Sequence, residues 1–255
     1  MGRIPRACTA RTTLDRARAA GPRTPAPRHG AAELDRGLAD QAAELVRTSV
    51  DDLAITPEIA YGTADSVLID RGEHARFLVI GMHTVLGSAL IGRTTTHVAT
   101  RARCPVVVWR GTAGRPIPRR RPIVVGVDGT RLSRPEIECA LELAAALGVP
   151  LTAVHAWPPG IEPVGRRSGG DIEHRAILAE SLAGWHEKFP DVQVTESVVA
   201  GAAVPVLMGA TADAQFLVVG SRARAAAAAV LLGSTSRDLL HRTPCPVLIC
   251  RGFAD

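Results

Sequence analysis

The segment Ile123-Val-Val-Gly-Val-Asp-Gly-Thr130 joins a short apolar run to an acidic, glycine-containing turn. Consecutive β-branched residues without polar alternation predict a strand that is buried on both faces, as in parallel sheets. A helical pattern follows at residues 135–147, with Gly148 placed to end it, and a second apolar run occupies residues 151–155. This order of strand, helix and strand predicts a parallel sheet wrapped by helices with right-handed crossovers.

The second half of the chain, which contains this segment, repeats part of the first half. Residues 56–81 recur at residues 195–220 with an offset of 139, and residues 92–111 recur at residues 233–252 with an offset of 141. A register kept over so many residues predicts a tandem repeat. The first copy has no counterpart of the strand at residues 123–127, which would lie at the centre of its sheet. We therefore predict that the first copy is incomplete.

The repeat divides the chain into four predicted segments. These are a disordered basic tail at residues 1–30, an incomplete α/β domain at 31–111, a Pro/Arg-rich linker at 112–121 and a complete α/β domain at 122–252. We predict an open, parallel, five-stranded, Rossmann-like sheet for the complete domain. In the incomplete domain we predict a helix at 32–50, an edge strand at 53–61, a helix at 64–71 and a doubly buried strand at 77–80.

The charge distribution argues against a nucleic-acid partner. Residues 1–30 carry a net charge of +6 and residues 112–122 carry +4, so the rest of the chain carries −5 against an overall +5. A mildly acidic folded part offers no basic surface to a phosphate backbone, and 3% aromatic residues supply few rings for base stacking. No apolar run approaches the ~20 residues that a membrane span needs, so we expect no membrane partner.

The cysteines and lysines narrow the possible chemistry further. Five cysteines without a C-x-x-C spacing indicate neither a disulfide framework nor a zinc site, which fits a reducing cytoplasm. Lys188 is the single lysine, so the chain has no P-loop lysine. We predict no metal ligands and no catalytic residues.

Two loops of the complete domain are expected at the carboxyl edge of its sheet, where ligands of such sheets bind. One carries Asp128 directly after a buried strand. The other begins at Gly220-Ser221-Arg222-Ala223 and leads, nine residues later, to Gly233-Ser234-Thr235-Ser236 at a predicted helix start. Small residues allow close approach to the backbone, and the helix N-terminus attracts phosphate. This pattern predicts an anion-binding cradle that needs no lysine.

These segments resemble the universal stress protein family in its tandem form. The resemblance rests on the strand at residues 123–129, the segments Ala153-Val-His-Ala156 and Ala212-Asp-Ala-Gln-Phe-Leu-Val-Val-Gly220, and the closing Cys245-Pro-Val-Leu-Ile249. It covers residues 30–252. The ATP-binding branch of the family has G-x-x-G, nine residues, then G-[ST]. Here Ala223 stands where the second glycine is expected.

The resemblance implies an adenine nucleotide, ATP with or without magnesium, bound by the complete domain. Asp128 would contact the ribose or the adenine, Ala156 would line the adenine pocket, and Arg222 would meet the phosphates. The full set of predicted nucleotide-binding residues is Gly126, Val127, Asp128, Gly129, Thr130, Ala156, Gly220, Arg222, Ala223, Gly233, Ser234, Thr235 and Ser236. In the first copy the corresponding spacing is short and Arg93 replaces the hydroxyl, so we predict no nucleotide site there.

Structural explanations remain open beside these roles. Asp128 can cap a turn, the three hydroxyl residues at 234–236 can form an N-cap cluster, and Arg222 can be a solvated loop cation. For His155 we favour a hydrogen-bonded core histidine over a catalytic base, and for Cys104 and Cys245 buried packing over reactivity.

Three functions are compatible with these residues, in order of preference. The first is a cytoplasmic, nucleotide-binding regulatory protein of the stress response, with at most slow ATP hydrolysis, that forms a homodimer or pairs its own two halves. The second is an interaction module of the same fold that binds no nucleotide and dimerises through its last strand, 247–250. The third, an enzyme that activates a substrate with ATP, ranks low because the S-G-G-x-D-S and H-x-G-H motifs are absent.

Overall fold

The computed structural model describes residues 29–48, 53–81, 92–110, 120–158, 170–221 and 232–251. The chain divides into two compact units, Met1–Arg71 and Gly72–Asp255. Most of the predicted tail and most of the predicted linker lie outside the described residues, and residues 29–30, predicted as disordered, begin α1. The four predicted segments therefore stay a prediction.

The first unit contains helix α1 (His29–Arg47) and most of helix α2 (Ala64–Gly72). Both helices were expected from the apolar spacing, α1 at 32–50 and α2 at 64–71. Ala39 and Ala43, four residues apart, are buried on one face of α1. Thr63 precedes α2 and its carbonyl accepts the amide of Val67, which closes the first helical turn.

The predicted edge strand at residues 53–61 is wrong, because these residues pair with no strand in the described structure. The repeat explains why. The corresponding strand of the second copy, β5 (Val194–Ala200), pairs with β4 (Leu151–Trp157), and the first copy has no counterpart of β4 among its described residues. A strand without a neighbour gains no ladder hydrogen bonds, and Pro57 has no N–H to donate.

The second unit is built on one seven-stranded sheet in the order β1-β2-β7-β6-β3-β4-β5. The remaining strands are β1 (Leu78–Gly81), β2 (Val106–Trp109), β3 (Ile123–Gly126), β6 (Phe216–Gly220) and β7 (Val247–Cys250). The five strands of the second copy, β7-β6-β3-β4-β5, run parallel to one another. The predicted α/β fold with a parallel five-stranded sheet is therefore confirmed.

Helices cover both faces of this sheet. They are α3 (Arg93–Arg101), α4 (Arg134–Leu147), α5 (Gly170–Leu182), α6 (Trp185–Lys188), α7 (Ala203–Ala210) and α8 (Ser234–Arg242). Ile137 of α4 and Leu178 of α5 lie in one buried cluster with Val125 of β3 and Ala153 of β4. Gly148 ends α4 at φ 63°, the left-handed conformation expected of a C-cap glycine.

An antiparallel pair joins the two copies inside the sheet. Strand β2 of the first copy pairs with β7 of the second, with Val107 opposite Leu248 and Val106 opposite Ile249. At the offset of 141, Val107 and Leu248 are equivalent positions, so the joint has local two-fold symmetry like an isologous dimer interface. The two halves of the chain thus pair with each other. This pairing occupies the strand through which we expected a homodimer to form, and dimerisation itself stays a prediction.

The predicted double burial of the strand at residues 77–80 is also wrong. Val79 is 56% exposed, whereas Val218 at the equivalent position of the second copy is fully buried. Strand β6 lies between β3 and β7, but β1 pairs only with β2 and forms the edge of the sheet. The same apolar sequence is therefore buried in one copy and half open in the other.

The thiols of the second copy differ in their ionisation. A hydrogen bond from the Cys250 thiol lowers the pKa of Cys139, whereas burial raises the pKa of Cys245 to about 11. Because the thiolate is the nucleophile, only about one in a thousand Cys245 groups is reactive at pH 8. We expect iodoacetamide at pH 8 to alkylate Cys139 at least about tenfold faster than Cys245.

Peptide mass spectrometry over a time course measures both alkylation rates in one sample. Protein unfolded in urea is the control, because the two thiols should then react at similar rates. Alkylation of native Cys245 as fast as Cys139 would contradict the burial that the structure gives it.

Candidate functional site

The candidate site lies where the strand order of the parallel sheet reverses. From β3 the chain continues to β4 and β5 on one side, and β6 and β7 lie on the other side. Strands β3 and β6 are direct neighbours, with Val125 opposite Val218. The loops that follow Gly126 and Gly220 therefore leave the same edge of the sheet side by side. This is the switch point at which open α/β sheets bind ligands.

Asp128 organises the loop after β3. Its Oδ1 accepts hydrogen bonds from the amide of Thr130 at 2.8 Å, from the Thr130 hydroxyl at 2.7 Å and from the Ser133 hydroxyl at 2.7 Å. Ser133 also accepts the amide of Asp128 at 3.1 Å. The turn-capping explanation of Asp128 is thus what the structure shows for Oδ1. A role in ligand binding stays a prediction.

Gly129 gives this loop its shape. Its φ is +80°, and a β-carbon at this position would lie 2.4 Å from Ile177 Cγ2 and 3.3 Å from His155 Cε1. Only glycine meets both the torsion and the close approach at low cost. Val127 is buried, Gly126 and Gly129 are half-buried, and Asp128 and Thr130 are exposed at the surface of the site.

The loop after β6 is closed by backbone contacts at both of its ends. The amide of Ser221 donates to Cys250 O at 2.9 Å, and the amide of Gly233 donates to Ser221 O at 3.2 Å. The hydroxyl of Ser236 donates to Gly220 O at 2.6 Å. These bonds bring Gly220 and the start of α8 together, as the sequence predicted. Arg222 and Ala223 lie outside the described residues.

The N-terminus of α8 presents donors at this edge. Its first intrahelical backbone bond runs from the amide of Arg237 to Gly233 O, so the amides of residues 234–236 precede the helical hydrogen-bond ladder. Ser234 is exposed, Thr235 is half-buried and Ser236 is buried. Because the Ser236 hydroxyl is engaged with Gly220, its contribution to anion binding would come from its amide.

A pair of histidines contacts the loop after β3. His155 is buried, and its Nδ1 lies 2.8 Å from Val127 O, while its Nε2 lies 3.0 Å from Nδ1 of His174 on α5. A carbonyl can only accept, so His155 Nδ1 carries the proton, and in the neutral pair His174 donates to His155. His174 also stacks on Trp157 at 4.6 Å between ring centroids. His155 is therefore the hydrogen-bonded core histidine that we expected.

Glu136 was not predicted as a site residue, yet its carboxylate lies at the switch point. It is 7% exposed in the first turn of α4, and a β-carbon at Gly220 would lie 2.7 Å from its Oε1. The signal was present in the sequence, because Glu136, Ala140 and Ala144 follow the i, i+4, i+8 spacing of one helix face. An acidic residue in the first turn of a helix by itself indicates only a favourable contact with the helix dipole.

Ala156, a predicted site residue, lies on β4, one strand away from β3 and the loop that carries Asp128. It lies in β4 opposite Val199 of β5, is half-buried, and stands one residue before the end of that strand.

The structure also shows a groove of about 330 Å³ between α5 and β5, lined by Arg175 and Glu196 among others. None of the predicted site residues lines that groove.

Comparison with known proteins assigns the family. The sequence profile of the "Universal stress protein family" matches residues 119–251, which is more than half of the chain. The chain belongs to the universal stress protein family. A curated universal stress protein of Mycobacterium tuberculosis is 33% identical over 229 residues, covering 85% of this chain and 76% of the relative. The family resemblance seen in the sequence is thus confirmed.

The fold of this chain is similar to that of a solved universal stress protein. One from Archaeoglobus fulgidus is 17% identical, has a TM-score of 0.62, and matches 88% of this chain and 78% of its own. Another from the same organism, solved in complex with dAMP, is 24% identical with a TM-score of 0.41, covering 51% of this chain and 97% of its own.

The described part of this universal stress protein offers neither a metal site nor a membrane span. Within the described ranges no group of three His, Cys, Asp or Glu residues could hold a metal ion. No helix in the part of the chain that the structure describes is long and apolar enough to cross a membrane.

Proposed function

We propose that this universal stress protein binds an adenine nucleotide, with ATP as the ligand that the family resemblance implies, at the switch point of its second copy. The nucleotide would serve a regulatory role in the stress response of the cytoplasm. The observation that carries the proposal is that Gly220 and Gly233 meet at the start of α8, through the bonds from the Gly233 amide to Ser221 O and from the Ser236 hydroxyl to Gly220 O.

Different parts of the switch point suit the phosphates and the nucleoside of such a ligand. The amides at the start of α8 and the positive end of its dipole favour phosphate. Gly220 and Gly233 carry no side chain of their own, so a ligand that approaches their backbone meets no β-carbon. The exposed Asp128 loop lies at the neighbouring strand end, where the ribose or base would extend. Magnesium would have to be held mainly by the phosphates, since the described residues offer no metal-ligand cluster.

Nucleotide binding is tested by calorimetry on the full chain with ATP. We expect saturable binding with a Kd in about the micromolar to millimolar range. Ser234→Asp should weaken ATP binding at least about tenfold, because it places a carboxylate where the phosphate would lie while favouring the helix dipole.

The control is Thr195→Asp, which adds the same charge at an exposed residue near the amino end of β5. That strand lies three strands from β6, or about 14 Å across the sheet, and its amino end is at the edge opposite the switch point. We expect less than about a twofold change in ATP affinity there, since solvent screens the charge over this distance. Folded wild-type protein that binds no ATP at millimolar concentration would refute the proposal.

The second candidate is an interaction module without nucleotide. The buried Glu136 carboxylate favours it, because a negative charge beside Gly220 opposes phosphate. The same calorimetry separates the two candidates, since the interaction module predicts no binding by any of the three proteins.

A further inference from the structure

The carboxylate of Glu136 is placed to act on whatever occupies the switch point. It projects from the first turn of α4 toward the end of β6, and its Oε1 and Oε2 lie 2.7 Å and 3.1 Å from the β-carbon position of Gly220. Gly220 O in turn accepts the hydroxyl of Ser236 in the first turn of α8. The Glu136 carboxylate and the N-terminus of α8, which attracts phosphate, therefore both lie at Gly220.

Burial makes this charge effective. Only 7% of Glu136 is exposed, so water screens its field less than it screens a surface carboxylate. Glu136 lies in the first turn of α4, where the positive end of the helix dipole favours an acidic residue, and this explains how an acid is retained on the apolar stripe of Ala140 and Ala144. Removing this carboxylate raises the net charge of the crevice by one, whichever groups neighbour it.

We infer that Glu136 determines specificity at this site by opposing long phosphate chains, so that the site discriminates against a nucleoside triphosphate relative to a nucleoside monophosphate. The inference rests on the proposed function, because it concerns the ligand of the same site. Each added phosphate brings further negative charge toward Gly220 and α8, whereas the nucleoside lies toward the Asp128 loop. The cost therefore grows with phosphate number and leaves adenosine unaffected.

The test compares adenosine, AMP and ATP by calorimetry at one fixed magnesium concentration, using the full chain and Glu136→Gln. We expect the substitution to raise ATP affinity at least about tenfold, AMP affinity by about threefold or less, and adenosine affinity not at all. The gain for ATP should shrink as salt rises from about 50 to 500 mM, as a charge effect requires.

Two further variants serve as controls for Glu136→Gln. Glu138→Gln removes the same charge from the same helix, at a partly exposed residue whose carboxylate binds Lys188, and should change each affinity by less than about twofold. Glu136→Ala is a second neutral variant, which matches Ala140 and Ala144 on the same face, and should reproduce the ATP gain. Thermal unfolding confirms that each variant is folded.

The outcomes separate the inference from the proposed function. If the wild type binds nucleotide and neither neutral variant binds ATP more tightly, the inference is wrong and the proposed function stands. An equal gain for adenosine and ATP also overturns it, because that result indicates shape and not charge. If no protein in the set binds any of the three ligands, the proposed function fails and the inference fails with it.

Discussion

Gly129→Ala is expected to lower the free energy of unfolding by about 3 kcal/mol, with two separate causes. The first is the torsion, because φ is +80° and an L-residue there costs about 1–2 kcal/mol. The second is steric, because the new β-carbon would lie 2.4 Å from Ile177 Cγ2. Relief requires α5 to move away from the loop, which also disturbs the contact of His174 on α5 with His155. Urea unfolding followed by circular dichroism measures the loss.

Gly184→Ala isolates the torsional part. Gly184 has φ +79°, almost the same as Gly129, but no atom lies within 4 Å of its β-carbon position. We expect a loss of about 1 kcal/mol there, so the difference of about 2 kcal/mol reports the clash with Ile177. Equal losses at the two glycines would show that α5 does not pack on the loop as the structure has it.

Val108→Asp is expected to lower the free energy of unfolding by about 4 kcal/mol, because it combines lost apolar burial with the desolvation of a carboxyl group. Val108 is fully buried and lies opposite Val247, also fully buried, in the antiparallel joint of β2 and β7. Losing this pair should release β1 and β2 from the sheet. Hydrogen exchange should then be faster in residues 78–81 and 106–109 than in the five parallel strands.

Val79→Asp is the control for Val108→Asp. It introduces the same side chain in the neighbouring strand, at a position 56% exposed. We expect a loss of about 1 kcal/mol or less, because the carboxylate stays hydrated. A Val108→Asp protein as stable as Val79→Asp would mean that the two copies are not joined through this strand pair.

Most of the second copy could be predicted from local patterns. The apolar runs of β3 and β6, the spacing of Ile137, Ala140 and Leu141, and the glycine after α4 each depend on residues close in sequence. The side-by-side position of the loops after Gly126 and Gly220 followed from the topology, because parallel strands bring their carboxyl ends to one edge. The binding of a nucleotide there stays a prediction.

The two wrong expectations share one cause. The segment 53–61 and strand β1 have the residue patterns of their second-copy counterparts, but those counterparts pair with β4 and β3, and the described residues of the first copy contain no equivalent strands. A strand's pairing and burial depend on neighbours that are distant in sequence. The repeat matches the first copy to the second only from residue 56 onward, and its consequences for these two segments could have been drawn from it.

The amino-acid sequence by itself shows the order of strands and helices in the second copy, the tandem repeat and the family. Apolar periodicity indicates the elements, and residues at constant spacing indicate the repeat and the family. Three features are visible only in three dimensions. Strand β2 pairs with the edge of β7, Asp128 Oδ1 caps its own turn, and Glu136 is buried beside Gly220. Each of these depends on which segments meet across the sheet, and the free energy of such contacts is not encoded in any single stretch of chain.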